Sequence, residues 1–241
     1  MASTERTRAA ARLRELLEEN RTLQKAEDAD PQFTERLRKL QAWQSQRLLG
    51  THADLAADPR FGPGVRFFVD DLYAPKDFSG RDADIERAYP YMVKALPRAV
   101  LDTAADAARL YVLSRRLDRD MVTALFETLG VHEVHADAYA EAYRICDARE
   151  DRLEQIRIIE DLARRLDRYV RSPLVLGVLR VARGPARMAG LSELQDFLER
   201  GASAFHHIGG ARSFVDIISE RERIILDRML EGHPEPFDLS R

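Results

Sequence analysis

The sequence predicts an all-α protein: a single domain of about ten helices that begins with a helical hairpin. Three observations support this prediction. Ala, Leu, Arg and Glu, which are good helix formers, dominate the 241 residues. The 12 glycines and 10 prolines are too few for the turns of a many-stranded β fold. Apolar residues also recur at helical spacing along most of the chain, and no segment has a convincing strand pattern.

Composition and charge limit the class of protein. A hydrophobic fraction of 45% and a charged fraction of 33% are typical of a globular chain. The formal net charge of −3, with the two signs well mixed, argues against a dedicated nucleic-acid binder. The single cysteine, Cys146, permits no intramolecular disulfide and suits a reducing compartment. We see no secretory signal and no apolar run of membrane-spanning length, so we predict a cytoplasmic protein without a membrane span.

The first two helices are predicted to form an antiparallel hairpin. The first covers residues 4–27, and its seam alternates spacings of four and three like a short coiled coil: Ala9, Leu13, Leu16, Asn20 and Leu23. Asp30 and Pro31 supply an N-cap and a first-turn proline for the second helix. We treat residues 1–241 as one domain and residues 1–50 as a possible appendage, and we expect a homodimer or other homo-oligomer that depends on this hairpin.

The remaining helices each have an apolar face at spacings of three and four: residues 61–73, 79–92, 97–112, 118–130, 133–147, 150–170, 174–182, 192–208 and 214–230. Residues 174–182 are apolar nearly all round, which predicts a helix at the centre of the core. Gly184-Pro185 is expected to break that helix, and Pro90 to kink or break an earlier one. Asp118 is expected to cap a new helix, and Ser192 with Gln195 to form a capping box.

Motifs of several familiar enzyme classes are missing. The sequence contains no His-Glu-x-x-His, no Glu-x-x-His, no Walker loop, no Gly-x-Ser-x-Gly elbow and no Cys-x-x-Cys. These absences exclude the enzyme classes that use those motifs, but they do not exclude catalysis in general. No catalytic residue, cofactor or metal site can therefore be assigned from the sequence.

The densest cluster of charged and aromatic residues covers residues 66–78. Asp70 and Asp71 fall in the last turn of a predicted helix, where the macrodipole disfavours anions. One interpretation is a structural ion-pair network with Arg81 and Arg87 in the next helix. The other is the floor of a polar pocket or a partner surface. On that interpretation the candidate ligand-binding residues are Phe67, Asp70, Asp71, Tyr73, Lys76, Asp77 and Arg81.

Within residues 66–90, the string FFVDDLYAPKDFSGRDADIERAYP resembles the signature of the FFLEELYG-motif family, a group of bacterial helical proteins. The resemblance is specific over about 25 residues and looser over most of the chain. The sequence departs from the motif at Val69 (leucine in the family), at Asp70 and Asp71 (glutamates) and at Ala74 (glycine). The resemblance implies a helical fold and a bacterial, cytosolic setting, and it implies no particular reaction.

Two further groups have open interpretations. His132 and His135, with Asp137 nearby, are spaced so that they share a helix face, which permits either a metal site or two surface histidines. Three arginines at spacings of three and four follow the apolar helix: Arg180, Arg183 and Arg187. They can form an anion-binding stripe, or they can be solvated and cover apolar surface with their stems.

Two function classes follow. The first is a non-enzymatic helical binding or regulatory protein that acts through contacts with a protein or a small apolar ligand. The alternative is an enzyme or cofactor-binding protein of a heme-oxygenase-like class, which rests on class analogy alone. Nucleic-acid binding is disfavoured because the helix after Gly130 is acidic and phosphates would be repelled.

Overall fold

The computed structural model describes residues 2–72, 79–170 and 172–239. Across these residues it contains eleven α-helices, two short π-helical segments and no strand. The predicted all-α single domain of about ten helices with an N-terminal helical hairpin is therefore confirmed. The α-helices are α1 (Ala2–Asp28), α2 (Pro31–Thr51), α3 (Ala53–Ala57), α4 (Gly62–Phe67), α5 (Ser79–Ala95), α6 (Arg98–Val122), α7 (Ala136–Cys146), α8 (Arg149–Val170), α9 (Pro173–Met188), α10 (Ser192–Ile208) and α11 (Arg212–Glu231).

Several helices continue through residues that were expected to interrupt them. Asp118 lies inside α6 and accepts a hydrogen bond from the Gln44 amide at 3.0 Å, so its predicted capping role is wrong. α9 continues through Gly184-Pro185 to Met188, so the predicted break there is also wrong. Pro185 is exposed, and water can therefore satisfy the backbone carbonyl that a helical proline leaves without a donor.

The hydrophobic core has three parts. The largest joins α4, the following π-helical segment, α10 and α11, with Phe68, Phe205 and Phe214 at its centre. The second surrounds Tyr139 at the meeting of α2, α6, α7 and α11. The third is smaller, and in it Leu13 of α1 packs against α6.

The predicted seam of α1 has its partner within the same chain. Leu13 is fully buried against Leu101 and Ala105 of α6, and the polar Asn20 of the seam is buried as well. Asp30 caps α2 as expected, because its carboxylate accepts a hydrogen bond from the Phe33 backbone N–H at 3.0 Å. The division of the chain at residue 50 stays a prediction.

Two glycines allow α4 and its neighbours to approach closely. A β-carbon added at Gly201 of α10 would lie 2.8 Å from the ring of Phe67, and one added at Gly64 of α4 would lie 2.5 Å from Ile208. These distances are shorter than van der Waals contact allows. The end of α4, which leads directly into Asp70 and Asp71, is therefore held against α10 by packing that leaves no room for a β-carbon at these positions unless neighbouring side chains move.

Gly201→Ala should destabilise the protein by about 1–3 kcal/mol, since it overpacks the contact with Phe67. The matched control is Gly50→Ala in α2, where no atom lies within 4 Å of the added carbon. The control should leave stability unchanged or raise it by up to about 1 kcal/mol, because alanine is the better helix former. Urea unfolding followed by circular dichroism compares the two. Equal effects would contradict the packing argument.

Candidate functional site

Asp70 and Asp71 lie in the π-helical segment Phe68–Leu72, which continues directly from α4. Short π-helical insertions are frequent at functional sites. The two neighbouring carboxylates point into different environments, since Asp70 is exposed and Asp71 is buried. They therefore do not act together as one acidic pair.

Asp71 has its main cationic partner on α10. The Arg200 guanidinium donates to the Asp71 carboxylate, with Nη2 at 2.7 Å and Nε at 3.0 Å from Oδ1. This hydrogen bond also raises the pKa of Arg200. Arg81, one of the two expected partners, instead donates to the Asp71 backbone carbonyl at 3.1 Å. Arg87, the other expected partner, binds Asp84.

Asp82 is the centre of a buried polar cluster between α1, α5 and α6. Its carboxylate accepts a hydrogen bond from the Asn20 amide at 3.1 Å. The nearby Tyr111 hydroxyl accepts one from Arg115 at 3.4 Å. Arg81 Nε lies 3.6 Å from one Asp82 oxygen, and Arg115 Nη1 lies 3.8 Å from the other. We call this set the Asp82 network, and its members are Asn20, Glu27, Arg81, Asp82, Tyr111 and Arg115.

The charges of the Asp82 network are balanced. The buried Glu27 at the end of α1 pairs with Arg115, so two carboxylates face two guanidinium groups. Both guanidinium groups also lie over the Tyr111 ring, 5.3 and 5.6 Å from its centroid. Burial, reinforced by the Asp82 charge, raises the pKa of Tyr111 to about 12. Tyr111 therefore stays protonated at neutral pH.

α5 and α10 hold each other's N-termini. The buried Asp84 of α5 accepts hydrogen bonds from the backbone N–H groups of Glu193 and Leu194, at 2.9 and 3.1 Å. The Glu193 carboxylate in turn packs against Gly80 in the first turn of α5. The predicted capping box of Ser192 and Gln195 is therefore wrong. The cap of α10 comes from another helix instead.

The predicted site residues separate into three groups. Asp71 and Arg81 meet between the π-helical segment and α5, whereas Asp70 is exposed nearby. Phe67 belongs to the core, where its ring lies 5.5 Å from that of Phe197 and 5.7 Å from that of Phe205. Three residues lie outside the described part of the chain: Tyr73, Lys76 and Asp77.

Three of the histidines bind backbone groups. His135 caps α7, because its Nδ1 accepts a hydrogen bond from the Ala138 N–H at 3.3 Å. His206 lies 3.1 Å from the Val170 carbonyl, and His207 lies 3.0 Å from the Pro59 carbonyl. In each case the ring nitrogen fixes a chain segment, which accounts for these histidines without a metal.

A second polar cluster lies between α2, α3 and α11. The sequence did not predict it. His52 is only 1% exposed, and its Nε2 lies 3.3 Å from Glu222, which also pairs with Arg47. Burial opposes the ionisation of Glu222 and is the largest single influence. The charges and hydrogen bonds of Arg47 and His52 together outweigh it and lower the pKa of Glu222 to about 2. Glu222 follows His52 by 170 residues, so no local pattern could have indicated this cluster.

Two surface depressions in the described part of the chain lie away from the Asp82 network. A narrow crevice beside Tyr143, Cys146 and Arg152 has about 0 Å³ of space for a water-sized molecule. A polar depression of about 350 Å³ lies beside Arg60, Arg212 and Asp216 and is open to solvent. The first is smaller than the usual range for small-molecule sites, about 300–1,000 Å³, and the second lacks an apolar enclosure. Neither therefore resembles a pocket for a small apolar ligand.

α9 presents apolar side chains to solvent, which corrects the prediction that it is the centre of the core. Val178, Val181 and Met188 are 57%, 78% and 91% exposed. The opposite side of α9 packs on α10 and α8. We call the exposed side the outer α9 face, and its residues are Gly177, Val178, Val181, Gly184, Pro185 and Met188.

One family model matches residues 23–236, and its description is Domain of unknown function (DUF8198). The chain belongs to the DUF8198 family. The matched range includes the outer α9 face and every member of the Asp82 network except Asn20. No curated protein and no solved structure matches the chain. Within the described residues, none of the helices is both long and apolar enough to cross a bilayer.

In this DUF8198 chain, Asp82→Ala should lower the free energy of unfolding by about 3 kcal/mol or more, because Arg81 and Arg115 lose a buried counter-charge. The matched control is Asp161→Ala, which removes an exposed Asp–Arg pair on α8. Exposed pairs contribute at most about 1 kcal/mol, so the control should change stability little. Urea unfolding measures both variants, and a similar loss in the two would refute a structural role for the Asp82 network.

Protonation of Glu222 should lower the stability of the folded protein in acid. Its pKa in the folded protein is about 2, below the ordinary value of 4.5, so its contribution is complete above about pH 4.5 and is lost as the pH falls towards 2. Glu222→Gln should therefore be less stable at neutral pH and should lose less stability between pH 4.5 and 2 than the wild type. Thermal unfolding across this range tests it. The exposed Glu220→Gln should keep the wild-type slope, and an unchanged slope in Glu222→Gln would contradict the assignment.

Proposed function

We propose that this protein is a non-enzymatic helical protein that binds a partner protein, and that the outer α9 face is the contact surface. The observation that supports this most strongly is the exposure of Val178, Val181 and Met188 on a single helix. Covering aliphatic side chains of this size stabilises a complex by roughly 1.5–3 kcal/mol each.

The distribution of exposed apolar residues singles out α9. Nine large hydrophobic side chains are exposed among the described residues, and three of them belong to α9. The other six lie on six different elements: Leu49, Leu72, Tyr91, Ile145, Leu198 and Ile224. Isolated exposed residues are normal on protein surfaces, whereas a cluster on one helix face is typical of an interaction site.

Residues 66–72 and 79–90, the described parts of the segment 66–90, have a geometry that favours a structural role. Asp71 binds Arg200, and the charges of the Asp82 network bind one another. A ligand at this site would have to compete with these ion pairs. The heme-oxygenase-like alternative has no specific observation in its favour. Residence in the cytoplasm and kinship with the FFLEELYG-motif family remain predictions from the sequence.

Site-specific photo-crosslinking in the cells that produce the protein tests the proposed contact. A photoreactive residue in place of Val181 should give a discrete adduct with one partner, whereas the same residue in place of the exposed Arg38 on α2 should not. The partner, identified by mass spectrometry and purified, should bind Val181→Asp at least about tenfold more weakly than the wild type, since burying a charge costs more than about 1.4 kcal/mol.

Circular dichroism and urea unfolding must show that Val181→Asp is folded. Identical adducts at the two positions, or equal affinity of the purified partner for wild type and variant, would refute the proposed contact surface.

A further inference from the structure

The outer α9 face has the spacing of a coiled-coil seam. Gly177, Val181, Gly184 and Met188 follow one another at intervals of four, three and four residues. In heptad notation Val181 and Met188 occupy the a positions and the two glycines the d positions. In coiled coils the side chains at a and d pack against a partner helix, and here the face that has this spacing is exposed.

The charged residues beside this seam have one sign. α9 contains three arginines and no acidic residue. Arg183 is already bound by Glu199 of α10. Arg180 and Arg187 occupy the g positions and are exposed. The charge of Arg187 also acts on Glu199 and helps to lower the pKa of that carboxyl, but within the described parts of the chain neither arginine has a carboxylate in salt-bridge contact. Residues at g choose the partner in coiled coils by pairing with opposite charges.

The two glycines leave notches in the seam. No atom lies within 4 Å of a β-carbon added at Gly177 or Gly184. Glycine inside a helix costs roughly 0.5–1 kcal/mol relative to alanine, and no contact among the described residues requires it at these two positions. Large side chains of an approaching helix fit such notches, as knobs fit into holes.

We propose that the outer α9 face binds an acidic amphipathic α-helix of a partner protein. Large apolar residues of that helix fill the notches at Gly177 and Gly184 and cover Val181 and Met188. Its carboxylates, seven residues apart, pair with Arg180 and Arg187, which are separated by about 10.5 Å along the axis. This inference rests on the proposed function and specifies the chemistry of the partner.

The charges disfavour a second copy of the chain as the occupant. In an antiparallel pair of α9 helices, the g arginines of the two copies would face each other. In a parallel pair they would face Val178 and Pro185, which offer no counter-charge. Neither arrangement neutralises Arg180 and Arg187.

The composition of the face also disfavours a membrane surface. Interfacial helices insert bulky Trp, Phe and Leu side chains into the lipid. The outer α9 face instead has two glycines and a proline among its six residues, and no aromatic residue.

Fluorescence anisotropy with the full chain tests the proposal. The probe is a labelled helical peptide with Leu at a and d and Glu at e and g. Its matched control has Lys in place of every Glu. The acidic peptide should bind at least about tenfold more tightly than the basic one, and binding should weaken in high salt.

Two variants separate the charge requirement from the notch requirement. Arg180→Glu with Arg187→Glu should reverse the preference between the two peptides, whereas Arg21→Glu with Arg38→Glu, at exposed positions on α1 and α2, should not. Gly184→Leu fills a notch and should weaken binding of the acidic peptide at least about tenfold while the protein stays folded.

Equal binding of the two peptides, or a preference unaffected by charge reversal at α9, would overturn the proposal. So would a dimer mass in light scattering that Val181→Asp reduces to the monomer, or binding to phosphatidylserine vesicles that Val181→Asp abolishes. If the peptides fail while the crosslink at position 181 still identifies a partner, the acidic helix is wrong and the proposed function stands.

Discussion

The burial of Asp82 beside Arg81 and Arg115 constrains the rest of the structure. Removing such ions from water costs several kcal/mol each unless every partner is in place. The partners come from α1, α5 and α6, so these three helices must meet in one register. Apolar packing between Leu13 and α6 stabilises the contact between the helices, but it is not directional and does not fix their register. We infer that the polar contacts select the arrangement in which those apolar residues pack.

Further polar contacts connect α5 with α10, and α10 with α9. Arg81 fixes the backbone at Asp71, and Asp84 caps α10. From α10, the Gln195 amide donates to the Leu179 carbonyl of α9 at 2.7 Å, and Glu199 binds Arg183. α9 is thus attached to α10 through polar groups on one side, which determines the side it leaves exposed. Residues 79–90 position α10, and α10 in turn binds one side of α9. We infer that these contacts determine which side of α9 is exposed.

Local signals in the sequence predicted the helices well, because propensity, proline at N1 and the glycine stop at Gly209 act within a few residues. The failures have a common cause. Asp118, Ser192 and the partner of Asp71 were assigned from neighbours in sequence. In the structure Gln44 binds Asp118, Asp84 rather than Ser192 caps α10, and Arg200 binds Asp71. The two residues of each contact lie 74 to 129 positions apart in the sequence. Which side of α9 is covered depends on α10, and no periodicity within α9 contains that information.

Folding explains the residues on one side of α9 but not those on the other side. Leu179 and Arg183 face α10, and each has a partner there. Val181, Met188, Arg180 and Arg187 are exposed, and folding gains nothing from their exposure. Two glycines that lower helix stability lie on the same side. A helix under selection for folding alone has no reason to combine an apolar seam, exposed arginines and glycines on one face. An acidic helical partner accounts for all three features at once.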